Sequence, residues 1–186
     1  AYIGTIGFYV DGKVKDLNNT TPDLIDLYEL ILEAKSKGCK YVVMEVSSHS
    51  LSLKRVNALK FDYMMFTNLT KDHLNYHKTM KKYFKAKKKL LKLKKKDSKV
   101  FVNSDDSYMN KIKNSIRIGS FGDYKISSIR YDNGMNFSLN DELYKCKLIG
   151  SYNVYNMSFV IALLKELGYE KINNIISKLV SPSGRM

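Results

Sequence analysis

The stretch VMEVSSHSLSLKRV (residues 43–56) begins like a buried β-strand and then departs from that pattern. Glu45 interrupts the apolar run, and two serines and His49 follow at once. A carboxylate is costly to bury unless it has a partner. In open α/β sheets, ligands bind outside the carboxyl ends of the strands. We therefore interpret Glu45 as part of a binding site at a strand end.

The regions on either side of this stretch alternate between apolar runs and amphipathic helical patterns. This alternation is typical of an α/β fold with a mainly parallel sheet flanked by helices. Strand-like segments occur at residues 3–6, 40–46, 62–67 and 99–103. For the first helix, Thr21 is the predicted cap, Pro22 suits the first helical position, and Gly38 is the predicted end.

The pattern of apolar and polar residues changes near residue 116. Short alternating segments around the Asn133-Gly134 pair predict a small antiparallel β section over residues 116–150. Two closing helices are predicted at residues 154–167 and 170–179.

The length and amino-acid composition of the chain limit the classes of protein to which it can belong. With 186 residues, of which 44% are hydrophobic, the chain can form one globular core. It has no apolar run of membrane-spanning length and no basic region leading into an apolar one, so we expect a soluble cytoplasmic monomer without a membrane partner. Cys39 and Cys146 are too few and too scattered for a disulfide framework or a thiolate metal site, so both are expected to be reduced thiols.

The net charge of +14 raises the alternative of a non-enzymatic basic domain that binds nucleic acid. Thirteen of the 32 basic residues lie between Lys71 and Lys99, and all thirteen are lysines. The chain lacks an arginine cluster, a zinc-finger spacing and an aromatic strand for reading bases. Nucleic acid is therefore the less favoured partner.

Polar side chains also follow the next two predicted strands. Asn68, Asp72 and His73 follow the strand at residues 62–67, and Asn103, Asp105 and Asp106 end or follow the strand at residues 99–103. Alone, each could be a helix cap, a turn residue or a packing residue. Together with Glu45, they predict a site at three neighbouring strand ends.

Lys87 interrupts an apolar stripe. Met80, Tyr83, Phe84, Leu90 and Leu91 recur at helical spacing, and at ~100° per residue Lys87 falls within their stripe. Such a lysine either extends its ammonium to the edge of the core or is desolvated, with a lowered pKa. Helical spacing alone favours a lysine whose ammonium extends to the edge of the core.

His73 and His77 suggest a third possibility, a zinc hydrolase, because the two are four residues apart on a predicted helix. The motif lacks the catalytic glutamate beside the first histidine, so this hypothesis is weak.

Six motifs of the chain are NNTTPD (18–23), VMEVSSHSL…RV (43–56), FTNLTKDHLNYHKTMKKYFKAKKKL (66–90), VNSDD (102–106), GSYNVYN (150–156) and SGR (183–185). Their order and spacing resemble those of the Mur ligases, and essentially the whole chain resembles that family. Within it, the likeness is strongest to the MurE branch, the UDP-N-acetylmuramoyl-dipeptide ligases that add the third amino acid of the peptidoglycan stem peptide.

The resemblance implies a fold related to the P-loop NTPases and an ATP-dependent ligase of the EC 6.3.2 class that forms an acyl phosphate. Its implied partners are UDP-MurNAc-dipeptide, ATP and an amino acid, and its implied cofactor is Mg²⁺. Glu45 and His73 match magnesium-site residues, and Lys87 matches the lysine that becomes carbamylated. These three would form the catalytic and metal site. The remaining matches form two groups. Those on the substrate side are Asn19, Thr20, Thr21, Ser47 and Arg55, and those on the ATP side are Asn68, Asn153 and Arg185.

The resemblance also implies a domain layout. The chain corresponds to a Mur ligase central domain without its phosphate loop, which would precede Ala1, so we expect this chain alone to be inactive. In this layout residues 1–115 form the parallel part, 116–150 the antiparallel section, 151–182 the closing helices and 183–186 the start of a hinge.

Overall fold

The computed structural model describes residues 1–179 and divides them into two compact units. Unit 1 contains residues 1–62 and 71–97, and unit 2 contains residues 63–70 and 98–179. The strands are β1 Tyr2–Gly4, β2 Gly7–Val10, β3 Lys13–Lys15, β4 Val43–Met44, β5 Phe61–Phe66, β6 Lys94–Asn103, β7 Ile116–Gly119, β8 Tyr124–Tyr131, β9 Met135–Leu139 and β10 Glu142–Cys146. The helices are α1 Leu24–Ser36, α2 Ser48–Ser52, α3 Leu74–His77, α4 Met80–Lys88, α5 Ser151–Glu166 and α6 Ile172–Ile176, with short 3-10 turns at Lys89–Leu93 and Met109–Lys111.

Unit 1 contains a four-stranded sheet with the order β3-β2-β1-β4. Its β2–β3 hairpin closes through Asp11 and Gly12, which have φ values of 51° and 75°. Consecutive residues with positive φ form the tight turn that suits a two-residue hairpin loop. β4 runs parallel to β1, with Tyr2 opposite Val43.

Helix α1 buries Leu27, Leu30 and Ala34, which lie on one face. It ends as predicted, because Gly38 has φ +74° and its N–H donates to the carbonyl of Lys35 at 3.0 Å. Its predicted start was wrong. The helix begins at Leu24 with Asp23 as its cap residue, because the Thr21 hydroxyl is occupied by more distant backbone groups.

A second, six-stranded sheet has the order β10-β9-β8-β7-β6-β5. β6, β7 and β8 run parallel, and β8, β9 and β10 form an antiparallel meander whose first turn contains Asn133 and Gly134. The predicted α/β class with a small antiparallel section is confirmed. The predicted boundary at residue 116 was wrong, because β7 pairs in parallel and the antiparallel pairing begins with β8.

The core of unit 2 lies between this sheet and helices α5 and α6. Phe101, Ile118, Phe137 and Phe159 belong to one buried apolar cluster. Helix α5 packs on β7, β8 and β9, and α6 packs on β10. The two closing helices are thus confirmed, with shifted ends. No helix among residues 1–179 is both long and apolar enough to cross a membrane.

Candidate functional site

The carboxylate of Glu45 is held by residues of the first strand and the turn after it. It accepts hydrogen bonds from the Tyr2 hydroxyl at 2.5 Å, the Thr5 hydroxyl at 2.6 Å and the Thr5 backbone N–H at 3.3 Å. Its own backbone N–H donates to Ile3, which continues the pairing of β1 with β4. The charge in the apolar run is therefore partnered, as its position at the end of β4 predicts.

Gly4 makes this arrangement possible. A Cβ at that position would lie 2.3 Å from the Tyr2 hydroxyl oxygen and 2.9 Å from the Glu45 carboxyl carbon. Both distances are shorter than van der Waals contact allows. Any larger residue would therefore separate Tyr2 from Glu45.

β4 does not belong to the same sheet as β5 and β6, so the prediction of one rim made of three neighbouring strand ends was wrong. β4 finds its partner in β1, where the β1–β2 hairpin presents a free edge. Glu45, Asp72 and His73 all belong to unit 1, whereas Asn103, Asp105 and Asp106 belong to unit 2. In unit 2, Asp106 accepts hydrogen bonds from the backbone of Leu69 and Met109, as a structural residue would.

Thr21 organises the predicted substrate side. Its buried hydroxyl donates to the Glu45 carbonyl at 2.9 Å and accepts from the Ser47 N–H at 3.0 Å. Its own carbonyl accepts from Arg55 Nη1 at 3.2 Å. Arg55 Nε also pairs with Asp23 at 2.7 Å. One threonine thus links the segment after β4 to the arginine.

The other predicted substrate-side residues lie around this link. Thr20 lies 3.3 Å from the Thr5 hydroxyl, and Asn19 is exposed. Ser47 caps α2 by accepting from the Ser50 N–H at 3.1 Å. Asn19, Thr20, Thr21, Ser47 and Arg55 therefore all occur in unit 1, on the segments next to Glu45.

All three histidines of the chain gather in one aromatic cluster of unit 1, formed by His49, His73, His77, Tyr76 and Tyr83. His77 stacks on Tyr83 with ring centroids 5.0 Å apart. His49 meets His73 edge-on at 5.0 Å and Tyr76 at 4.3 Å.

Within this cluster, His73 and His77 have different surroundings. His77 is buried and its Nε2 lies 2.8 Å from the Ser48 hydroxyl, whereas His73 is exposed and pairs with Asp72 at 3.3 Å. His73 also has a left-handed backbone with φ +53° at the cap of α3, so the two are not neighbours on one helical face. Among residues 1–179, no group of three His, Cys, Asp or Glu could hold a metal ion. The zinc-hydrolase hypothesis therefore has no structural support.

Lys87 lies on α4, on the side of the helix that carries Tyr83. Its ammonium is 5.9 Å from the centre of the Tyr83 ring, and the side chain is half-buried. Burial lowers the pKa of Lys87 below its ordinary value, and the carboxylates of Glu45 and Asp72 oppose that shift. Helical spacing alone favours an ammonium that extends to the edge of the core. The structure instead favours a desolvated amine at Lys87. The same pKa shift indicates that Glu45 and Asp72 are close enough to act on Lys87 electrostatically.

The donor set of this site suits magnesium only in part. A carboxylate such as Glu45 is a preferred ligand of a hard cation, and His73 is an accessible imidazole. An ammonium at Lys87 would repel a cation. A carbamate there would instead supply an anionic oxygen within electrostatic range of Glu45, so the donor types fit magnesium when Lys87 is carbamylated.

The predicted ATP-side residues fall in unit 2 or beyond the described part. Asn68 is exposed after β5, and Asn153 lies in the first turn of α5, where its side chain donates to the Ile149 carbonyl at 2.7 Å. Arg185 lies outside the described residues. Among residues 1–179, no hydrogen bond joins Asn68 to Asn153.

Sequence reasoning missed several partners in this site. Tyr2 and Thr5 hold Glu45, and His49 and Tyr76 complete the ring cluster. The histidines carried a usable signal, because the chain has only three and they occur within residues 49–77. Tyr2 carried none, since its contact with Glu45 spans 43 residues.

The buried His77 leads to a prediction about stability and pH. Burial and the neighbouring His49 and His73 lower the pKa of His77 below its ordinary 6.5. Since the folded state then binds fewer protons than the unfolded state, stability is at its full value above about pH 6.5 and is lost as pH falls from there through the lowered pKa. Urea unfolding at about pH 7.5 and about pH 5.5 should show a larger loss for the native chain than for His77→Gln. Glutamine can still bond Ser48 but does not titrate; equal losses would contradict the prediction.

Comparison with known proteins identifies relatives along almost the whole chain. Residues 1–164 match the family profile of the Mur ligase middle domain. The UDP-N-acetylmuramoyl-L-alanyl-D-glutamate–2,6-diaminopimelate ligase of Fusobacterium nucleatum is 38% identical over 201 residues, covering 98% of this chain and 40% of that protein. The ligase of the same name from Clostridium perfringens is 35% identical, with coverage of 97% and 40%. The chain therefore spans 40% of the length of these relatives.

A solved structure agrees with this result at the level of the fold. A structure of a UDP-N-acetylmuramoyl-L-alanyl-D-glutamate–2,6-diaminopimelate ligase superposes with a TM-score of 0.81 at 24% identity, covering 100% of this chain and 41% of that one.

Proposed function

This chain belongs to the Mur ligase family as a middle domain, and on that premise we propose that it is the central part of an ATP-dependent ligase of the MurE type. The complete enzyme would join an amino acid to UDP-N-acetylmuramoyl-dipeptide in peptidoglycan synthesis. The names of the relatives described above state that activity. Their alignments cover nearly the whole length of this chain.

One observation supports this function most strongly: Lys87 is half-buried on the Tyr83 side of α4, where burial lowers its pKa and the carboxylates of Glu45 and Asp72 act on it electrostatically. A neutral amine can attack carbon dioxide, forming an N–C bond and releasing one proton, and the product is a negatively charged carbamate. A lowered pKa raises the fraction of neutral amine available for that step. The exchange replaces a cation that is costly to bury by an anion that can face a metal.

The ligase reaction would proceed in two steps. A carboxylate oxygen of the dipeptide attacks the γ-phosphorus of ATP, which forms an acyl phosphate and releases ADP. The amine of the incoming amino acid then attacks the acyl carbon, a proton is lost, and inorganic phosphate leaves as the amide bond forms. The first step brings a carboxylate to the negatively charged phosphates of ATP, and the second develops negative charge on the acyl oxygen and the leaving phosphate, so catalysis depends on positioning and on compensating charge.

Glu45, His73 and carbamylated Lys87 are the residues that we propose to hold magnesium. When bound, the metal would neutralise charge on the reacting phosphates. Tyr2 and Thr5 fix the Glu45 carboxylate by hydrogen bonds, and Asp72 orients the His73 ring. Such supporting contacts hold first-sphere ligands in place.

On the substrate side, Asn19, Thr20, Thr21, Ser47 and Arg55 would bind the uridine-nucleotide sugar-peptide, and Asn68, Asn153 and Arg185 would contact ATP. We infer that the amino acid is 2,6-diaminopimelate, because the relatives' names give that substrate. We also propose that the enzyme is cytoplasmic, because all its substrates are water-soluble, and that it is a monomer.

Arg55 provides the test of the substrate side. In the complete enzyme, Arg55→Ala and Thr20→Ala should weaken binding of UDP-MurNAc-dipeptide and leave ATP affinity nearly unchanged. Loss of a charge-assisted hydrogen bond costs about 1.5–3 kcal/mol, or roughly 10- to 100-fold in affinity for Arg55. Isothermal titration with each ligand measures both quantities.

The matched control is Lys40→Ala, which removes an exposed charge in the segment just before β4. It should change neither affinity. The assignment would be wrong if Arg55→Ala lost ATP affinity and kept its affinity for the dipeptide substrate.

A further inference from the structure

The positive charge of the chain is concentrated in one segment. Residues 73–96 contain eleven lysines and no acidic residue, and the net charge of the whole chain is +14. All other residues together therefore sum to +3. This concentration is larger than a general enrichment in lysine would give, because such an enrichment would be spread along the chain.

Helix α4 places these lysines on one side. At ~100° per residue, Lys81, Lys82, Lys85 and Lys88 fall within an arc of about 120°. All four are exposed, whereas Tyr83 and Ala86 are buried and lie outside this arc. Lys89 and Lys92 continue the exposed series in the following 3-10 turn. We call these six lysines the basic face.

In the described part of the chain, no carboxylate forms an ion pair with the basic face. Among residues 1–179, the ion pairs of lysines involve Lys37, Lys95, Lys99 and Lys165, and none involves one of the six. Like charges on one face of a helix repel one another over the Debye length, which is ~8 Å at physiological salt, and this repulsion raises the free energy of the folded state. An external anionic surface would relieve that repulsion.

The composition of the face indicates which surface it fits. All six residues are lysines, which act as strongly hydrated point charges, and none is an arginine that could fork onto a base or a single phosphate. Phe84 is half-buried beneath Lys88, with the ammonium 5.5 Å from its ring centre, so it is covered rather than offered for base stacking. A helix of nine residues also presents its charges over only ~14 Å. These features favour a laterally continuous layer of anionic headgroups over the grooves of a nucleic acid.

We propose that the basic face binds the surface of an anionic phospholipid membrane. This proposal departs from the expectation of no membrane partner, which rested only on the lack of a membrane-spanning run and does not bear on peripheral binding. Binding is peripheral and electrostatic, because the apolar side of α4 is used inside unit 1, where α4 packs on α2 and α3. Lys87 lies on that inner side of the helix, so the same helix would serve the candidate catalytic site with one lysine and the membrane with the others. The proposal does not depend on the ligase function.

The test uses the complete protein that contains this chain and vesicles of phosphatidylcholine, with or without about one-third phosphatidylglycerol. In flotation at low salt, the protein should bind the anionic vesicles only, and binding should fall as salt is raised. Changing Lys81, Lys82, Lys85 and Lys88 together to glutamine should lower the partition coefficient on the order of 100- to 1000-fold, since each lysine near the surface contributes to binding. The corresponding arginine variant should bind normally.

The matched control changes Lys13, Lys15, Lys111 and Lys113, four exposed lysines elsewhere in the chain, to glutamine. It loses the same charge and should keep most of the binding. The proposal would be overturned if both quadruple variants bound equally, or if neutral vesicles bound as well as anionic ones. It would also be overturned if duplex RNA or DNA displaced the protein from anionic vesicles when the nucleic acid and the lipid carried the same concentration of negative charge.

Discussion

Lys87→Ala is expected to lower the ligase activity of the complete enzyme by roughly 100- to 1000-fold, the usual effect of removing one preorganised electrostatic group. The alanine variant lacks the amine on which a carbamate can form, so the site has no anion at this position. Short-chain carboxylic acids such as acetate or propionate could enter the vacated space and supply one. Activity should therefore rise with added acid in the variant and not in the native enzyme.

Two controls separate this role from packing. Lys87→Met keeps most of the apolar stem beside Tyr83 and should be as inactive as the alanine variant. Lys85→Ala, on the exposed side of the same helix, should remain active. Near-normal activity of Lys87→Ala without an additive would contradict the assigned role.

Glu45→Gln is the second change with a large expected effect. Glutamine has nearly the same shape and can still accept a hydrogen bond from Tyr2 or Thr5, but it carries no charge. We expect kcat to fall by about 100-fold or more and the magnesium concentration required for half-maximal rate to rise. Initial rates measured across a magnesium titration give both values.

The same variant also tests the electrostatic coupling to Lys87. Because the Glu45 carboxylate raises the pKa of Lys87 against the effect of burial, its removal should leave the amine at least as able to form a carbamate. Tyr2→Phe, which removes one hydrogen bond to Glu45 and no charge, should have a much smaller effect on the magnesium titration. A normal magnesium dependence in Glu45→Gln would contradict the proposed metal site.

Local rules predicted the features that depend on neighbouring residues. Gly38 ends α1 and the Asn133-Gly134 pair forms a hairpin turn, since each requires only a positive φ value that these residues tolerate. The position of Lys87 beside Tyr83 followed from helical spacing alone. The Asp11-Gly12 turn carried an equally strong signal for the β2–β3 hairpin, which the sequence prediction nevertheless omitted.

Features that depend on distant residues could not be predicted from the sequence. Thr21 is a good helix cap by type, yet its hydroxyl bonds groups 24 and 26 residues away. Similarly, β4 pairs with β1 across about 40 residues, and no local pattern specifies which edge a two-residue strand joins. The partners of Glu45 were missed for the same reason.

The proposed mechanism requires a carbamate on Lys87, which ¹³C NMR of the complete enzyme can detect. The enzyme is equilibrated with ¹³C-bicarbonate and magnesium, and spectra are compared for the native protein, Lys87→Met and Lys85→Met. We predict a carbamate resonance in the native protein and in Lys85→Met that is absent from Lys87→Met and disappears when carbon dioxide is removed. A fully active native enzyme with no carbamate resonance, or a resonance that persists in Lys87→Met, would show that catalysis does not depend on a carbamate at Lys87.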